Sequence, residues 1–122
     1  MRPREWQGVV KVADIAAGAW RGKDRDQIKS SGYVIDTLEA ALWCVDKTDS
    51  YEQAVILAVN LGGDADTVGA VTGQLAGAIY GIDAIPERWL QPLLWKQDLM
   101  DAAGKLYALG NGQKFTPEAP SL

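Results

Sequence analysis

The chain has 122 residues, is 48% hydrophobic and carries a formal net charge of −4, enough for one domain with a moderate core. It has no histidine and one cysteine, Cys44, which excludes an imidazole base, a Ser-His dyad, His-bound zinc, a thiolate cluster and an internal disulfide. Its 12 basic residues are scattered rather than gathered into a stripe with interleaved aromatics, which argues against nucleic acid as a partner.

In chain order the pattern is helical almost throughout. Val9, Val12, Ala13 and Ala16 make a weak amphipathic stripe over about Trp6 to Trp20. No apolar stretch of signal-peptide length precedes the charged and polar residues there, so a cytoplasmic protein of a reducing compartment is expected. Arg21 to Gly32, charged and glycine-flanked, reads as a short helix or loop. From Tyr33 to Val45 the apolar residues Val34, Leu38, Ala41, Leu42 and Val45 recur at three and four, predicting a helix.

Ser50 with Gln53 matches a capping box and opens a helix over Tyr51 to Asn60, with Ala54, Val55, Ala58 and Val59 as its apolar positions. Gly62-Gly63 ends it, because glycine takes the left-handed turn that closes a helix. The next helix is expected from about Thr67 to Tyr80. Gly69, Gly73, Gly77 and Gly81 are spaced by four along it. Glycine in a helix is unfavourable by roughly 0.5–1 kcal/mol relative to alanine. Four on one edge therefore predict close packing of neighbours against bare backbone, with this helix central. The apolar run Val68 to Ile82 falls short of the ~20 residues of a membrane span and carries Thr72 and Gln74, so no membrane segment is expected.

Pro86 suits the first position of a short helix through Leu90, and Pro92 interrupts. A last helix is expected over Gln97 to Leu109, closed by Gly110. The expected organisation is a single all-α domain, residues 1–112, with residues 113–122 as a loose tail that holds two prolines.

The stretch Leu61-Gly62-Gly63-Asp64-Ala65-Asp66-Thr67 carries the chemistry the chain offers. Asp66 before Thr67 is a good helix N-cap, which is the structural reading. Asp64 and Thr67 go beyond it: Asp-x-Asp-Thr sets three oxygen-bearing side chains within four residues at a sharp turn. Hard oxygen donors without thiolate or imidazole select Mg²⁺, Mn²⁺ or Ca²⁺. The positive end of the following helix helps to keep both carboxylates ionised. An EF-hand loop is excluded. Asp64, Asp66 and Gly69 fit its first, third and sixth places, but Val68 stands at the fifth and Leu75 at the twelfth, where a bidentate glutamate is required. The other close acidic pairs, Asp24 with Asp26 and Asp46 with Asp49, lie in charged stretches and read as solvated.

Several elements in order resemble the C-terminal signature of the ADP-ribosylglycohydrolase family, the dinitrogenase-reductase-activating type. They are Ser31-Gly32-Tyr33-Val34, then Asp36-Thr37-Leu38-Glu39-Ala40-Ala41-Leu42-Trp43, the Gly62-Gly63-Asp64-Ala65-Asp66-Thr67 turn, the glycine-spaced helix, and Ile85-Pro86-Glu87-Arg88-Trp89. The resemblance implies a compact all-α helical bundle like the C-terminal part of that fold, and hydrolysis of a glycosidic bond to ADP-ribose beside a pair of Mg²⁺ or Mn²⁺ ions. It makes Asp64, Asp66 and Thr67 the C-terminal ligands of that pair and places Tyr33 at the nucleotide end of the cleft. Ala65 stands where threonine or serine is common in the family and removes no ligand.

Family members are more than twice this length. Their N-terminal half brings a Thr/Ser-Asp-Asp ligand cluster, an acidic catalytic residue and a phosphate-holding loop, none of which is matched here. A two-metal site clamps a reacting group between ions held from both sides. The resemblance thus implies half of a binuclear site, active only when complemented by an N-terminal-half partner, with association into a homo-oligomer the other way to cover apolar surface. The alternative is a catalytically inactive helical scaffold or binding module of the same family.

Overall fold

The computed structural model describes residues 10–112, all-α as expected, with six α-helices and no strand among them. These residues fall into two compact units, one ending at Pro86 and one beginning at Glu87.

In the first unit α1 spans Val10–Ala16, shorter than the stripe predicted; residues 6–9 of that prediction lie outside the described residues. Gly18 breaks it with a left-handed φ of 81°, and a 3₁₀ turn follows over Ala19–Gly22. The indole N–H of Trp20 donates to the carbonyl of Ile15 at 3.0 Å, which folds this turn back on α1 and buries both residues. The charged stretch after it is mostly loop, with one 3₁₀ turn at Arg25–Gln27. Asp24, Asp26, Asp46 and Asp49 are all exposed.

Helix α2 (Val34–Asp46) buries only part of the face its apolar spacing predicts: Ala41 is buried and Leu42 packs against the core. Val34 and Leu38 are exposed, at 71% and 37%, whereas Thr37, Ala40, Ala41, Trp43 and Cys44 are buried. Small residues at 40 and 44 share the core with Val68 of α4, and α2 packs closely on that helix. Thr37 tolerates burial because its hydroxyl donates to the carbonyls of Ser31 and Tyr33, both at 3.1 Å.

Helix α3 (Tyr51–Val59) starts at the predicted cap: Ser50 Oγ accepts from the Gln53 N–H at 3.2 Å. The Gln53 side chain returns to the N–H of Asp49 rather than of Ser50, also at 3.2 Å. Gly62 and Gly63, with φ of 80° and 58°, then reverse the chain into α4 (Ala65–Tyr80).

Helix α4 packs against both α2 and α3, the central place that its glycines predicted. Val68, Thr72 and Ala76 make its buried stripe. On the adjoining edge, a Cβ at Gly69 would stand 3.0 Å from Val59 Cγ1, and one at Gly73 would stand 3.2 Å from the Tyr51 hydroxyl. The fourth glycine, Gly81, serves differently, since its φ of 80° ends the helix. The core they enclose joins Ile15, Trp20, Ile28, Ala40, Trp43, Cys44, Ala58 and Val68.

The second unit holds α5 (Glu87–Leu90), which ends at Leu90 as expected but begins one residue after Pro86 rather than at it, and α6 (Lys96–Gly110). Gly110 is the last helical residue rather than the residue that closes the helix; the left-handed position falls on Gly112, with φ 80°. The expected tail, 113–122, lies outside the described residues.

Candidate functional site

Helix α4 begins two residues earlier than the sequence pattern predicts, and this changes the role of its first carboxylates. Asp64, not Asp66, occupies the N-cap position, and Asp66 sits in the first turn. The Asp64 side chain makes no cap bond to the backbone of the helix. Instead Asp64 Oδ1 accepts from the Thr67 hydroxyl at 3.0 Å. The Asp66 carboxylate accepts from the Thr67 N–H, also at 3.0 Å. All three predicted site side chains therefore meet at the mouth of α4, where the positive helix end favours negative charge.

Asp66 and Thr67 are exposed and Asp64 is half-buried. The Asp64 carboxyl beside it, and then the N–H of Thr67, hold the Asp66 carboxyl below the usual carboxylate range. A cation between two adjacent carboxylates relieves their mutual repulsion, and the donor set of two carboxylates and one hydroxyl is that of a hard divalent ion. Among the described residues no three acidic or thiol side chains converge on one point.

What holds the turn comes from a distant part of the chain. The N–H of Asp64 donates to the Ser30 carbonyl at 2.8 Å, and Ser30 Oγ donates to the Gly62 carbonyl at 2.6 Å. Gly63 lies so close to that stretch of backbone that a Cβ on it would stand 2.1 Å from the Ser30 carbonyl oxygen. One residue on, Ser31 Oγ donates to Asp36 Oδ2 at 2.7 Å and accepts from the N–H of Tyr33 at 3.2 Å, which fixes the entry into α2. Ser30, Ser31 and Asp36 are the supports that site reasoning from sequence missed. The bracing of the turn runs through backbone carbonyls across more than thirty residues and has no side-chain spacing to betray it.

Tyr33 is the N-cap residue of α2, half exposed, with Lys11 Nζ 5.7 Å from its ring centroid. Beyond Asp36 lies a cleft of about 320 Å³, lined by Lys11, Asp14, Lys23, Lys29, Asp36 and Glu39 among others. Its charges are partly matched within it, since Lys23 Nζ pairs with Glu39 Oε1 at 3.0 Å.

The ADP-ribosylglycohydrolase family model matches residues 3–115. The chain belongs to the ADP-ribosylglycohydrolase family. An ADP-ribosylarginine hydrolase Tri1 from Serratia proteamaculans is 49% identical over 106 residues, covering 87% of this chain and 29% of that protein. A Pseudomonas putida protein of the same name is 50% identical over 93 residues, 76% of this chain and 25% of that protein. The ADP-ribosyl-[dinitrogen reductase] glycohydrolase of Rhodospirillum rubrum is 49% identical over 65 residues, 53% of this chain and 22% of that protein. The chain thus spans less than a third of each of these curated relatives. No helix among the described residues is long and apolar enough to cross a membrane.

Proposed function

We propose that this ADP-ribosylglycohydrolase chain forms part of a hydrolase that cleaves the glycosidic bond between ADP-ribose and a modified side chain. The arginine linkage in the names of the Serratia and Pseudomonas relatives is the one we assign. Asp64, Asp66 and Thr67 would hold one side of a site for Mg²⁺ or Mn²⁺, and the remaining ligands would come from the N-terminal portion of a family member. The observation that carries this reading is the meeting of those three oxygens at the start of α4, on a turn braced by Ser30.

A divalent cation bound there would supply Lewis-acid polarisation of an oxygen at the reacting centre. The chain's own residues have separate roles around it. Asp64 and Asp66 would provide the negative charge that retains the ion, Thr67 would provide a neutral oxygen and orients Asp64, and Tyr33, half exposed at the start of α2, would meet the nucleotide.

The alternative, a scaffold that keeps only the packing, explains Gly69 and Gly73 but not the site. An exposed Asp66 and a Thr67 turned toward Asp64 bury nothing and join no core.

Thermal unfolding with and without Mn²⁺ tests the reading. An ion bound only by the native chain raises its melting temperature by mass action. The double variant Asp64→Ala, Asp66→Ala should show no such rise; an unchanged rise in the double variant would sink the assignment.

A further inference from the structure

Resting on the metal reading above, we infer that Gly32 is the positioning residue that sets the direction of the Asp64 carboxylate. A Cβ built on Gly32 would stand 2.7 Å from Asp64 Oδ2 and 3.8 Å from the carboxyl carbon of the same aspartate; among the described residues, its chain neighbours Ser31 and Tyr33 aside, no other atom comes within 4 Å of it. Gly32 is not among the residues with positive φ, so its backbone does not ask for glycine. Among the described residues, no contact apart from that with Asp64 and the adjoining chain asks for it either. The absence of a side chain at this position serves one thing, the space that Oδ2 occupies.

The main chain of Asp64 has no freedom to retreat from an intruding methyl group. Its N–H is tied to the Ser30 carbonyl at 2.8 Å, and Gly63 before it is pressed against that same carbonyl at a left-handed φ of 58°. The side chain must therefore turn instead. Oδ1 faces the Thr67 hydroxyl at 3.0 Å, so turning the carboxylate away from Gly32 also takes Oδ1 out of register with Thr67. Asp64 is thus held from both sides: Thr67 fixes one oxygen by a hydrogen bond, and Gly32 admits the other by having no Cβ. Rotation of a half-exposed carboxylate costs the fold little. It changes where two of the site's donor oxygens point, and ligand-orienting contacts of this kind typically govern about 10–100-fold in metal affinity.

The full chain carrying Gly32→Ala is compared with the native chain in two measurements: the melting temperature without metal, and the Mn²⁺ dissociation constant from the electron paramagnetic resonance signal of free Mn²⁺. The expected result is an unchanged metal-free melting temperature and Mn²⁺ binding weaker by about tenfold or more. In an Asp64→Ala background the same Gly32→Ala change should leave residual Mn²⁺ binding where it was, because the oxygen it displaces is gone. Native-like Mn²⁺ affinity in Gly32→Ala overturns the positioning role while leaving the metal site standing. A fall in metal-free stability that Asp64→Ala does not relieve, with Mn²⁺ affinity of the folded fraction intact, assigns Gly32 to packing and likewise overturns it. Failure of the native chain to bind Mn²⁺ at all removes the metal reading and this inference together.

Discussion

Val59 fills the space that Gly69 leaves bare: its Cγ1 lies 3.0 Å from where a Cβ on Gly69 would stand. One turn further along α4, Tyr51 crosses the same edge, its hydroxyl 3.2 Å from the Cβ position of Gly73 and its Cε2 3.9 Å from that of Gly77. The three glycines therefore differ in how tightly they are met. At Gly77 a methyl group enters ordinary van der Waals contact, so Gly77→Ala should stabilise the chain by roughly 0.5–1 kcal/mol through helix propensity. At Gly69 a larger side chain must displace Val59, whose β-branched χ1 is stiff within α3. Gly69→Leu should cost about 1–3 kcal/mol through overpacking. Urea unfolding of both variants decides it. A stabilising Gly69→Leu would show that α3 and α4 do not meet there.

Trp43 ties α2 to the loop before it. Its indole N–H donates to the Lys23 carbonyl at 2.8 Å from a side chain only 6% exposed. Trp43→Phe removes that bond and leaves the carbonyl without its donor, an expected loss of about 0.5–1.5 kcal/mol before any cavity is counted. The Lys23 side chain meets Glu39 in a partly exposed ion pair. Lys23→Met should change stability by less than about 1 kcal/mol, since such pairs contribute little. If the lysine variant proves the more damaging of the two, the order of these interactions is wrong.

Burial pushes the Cys44 thiol up to about 11, against a smaller opposing pull from Arg25. The group's pKa is raised in the folded chain. Its contribution to stability is accordingly complete below the ordinary thiol value of 9.0 and is lost as pH rises through about 11, because the unfolded chain ionises first. The native thiol should therefore resist a thiol-specific reagent at about pH 8 and react fully once urea unfolds the chain. Rapid labelling under native conditions would mean that Cys44 does not lie among the buried residues of α2.

Much of this was legible in the sequence where local chemistry decides the outcome. Ser50 and Gln53 announce the start of α3, the paired glycines announce its end, and glycines spaced by four announce the edge where α3 meets α4. The sequence was less informative wherever tertiary contact overrides local preference. Apolar spacing put Val34 and Leu38 inside with Ala41, yet only Ala41 of these is buried, together with Ala40 and Cys44. Asp66 looked like the better cap, but Asp64 took that position once the Ser30 carbonyl had fixed its N–H. The three donor side chains could be named from their spacing. The loop that aims them could not, because a backbone carbonyl looks the same at every position.

Hard divalent ions take about six oxygen ligands or more, and Mg²⁺ retains water readily. Asp64, Asp66 and Thr67 supply three side chains, all from one turn, and among the described residues no third acidic side chain joins them. The Serratia relative, matched over 87% of this chain, has more than two-thirds of its length outside the match. We therefore expect the purified chain with Mn²⁺ to release no ADP-ribose from an ADP-ribosylated arginine peptide. Addition of the N-terminal portion of that relative should produce Mn²⁺-dependent release, and Asp66→Ala in this chain should abolish it. The release is read by chromatography of free ADP-ribose. Turnover by the chain alone would show that it carries its own acid, base and remaining ligands. Turnover of the mixture that survives Asp66→Ala would show that the turn at the start of α4 takes no part in the reaction.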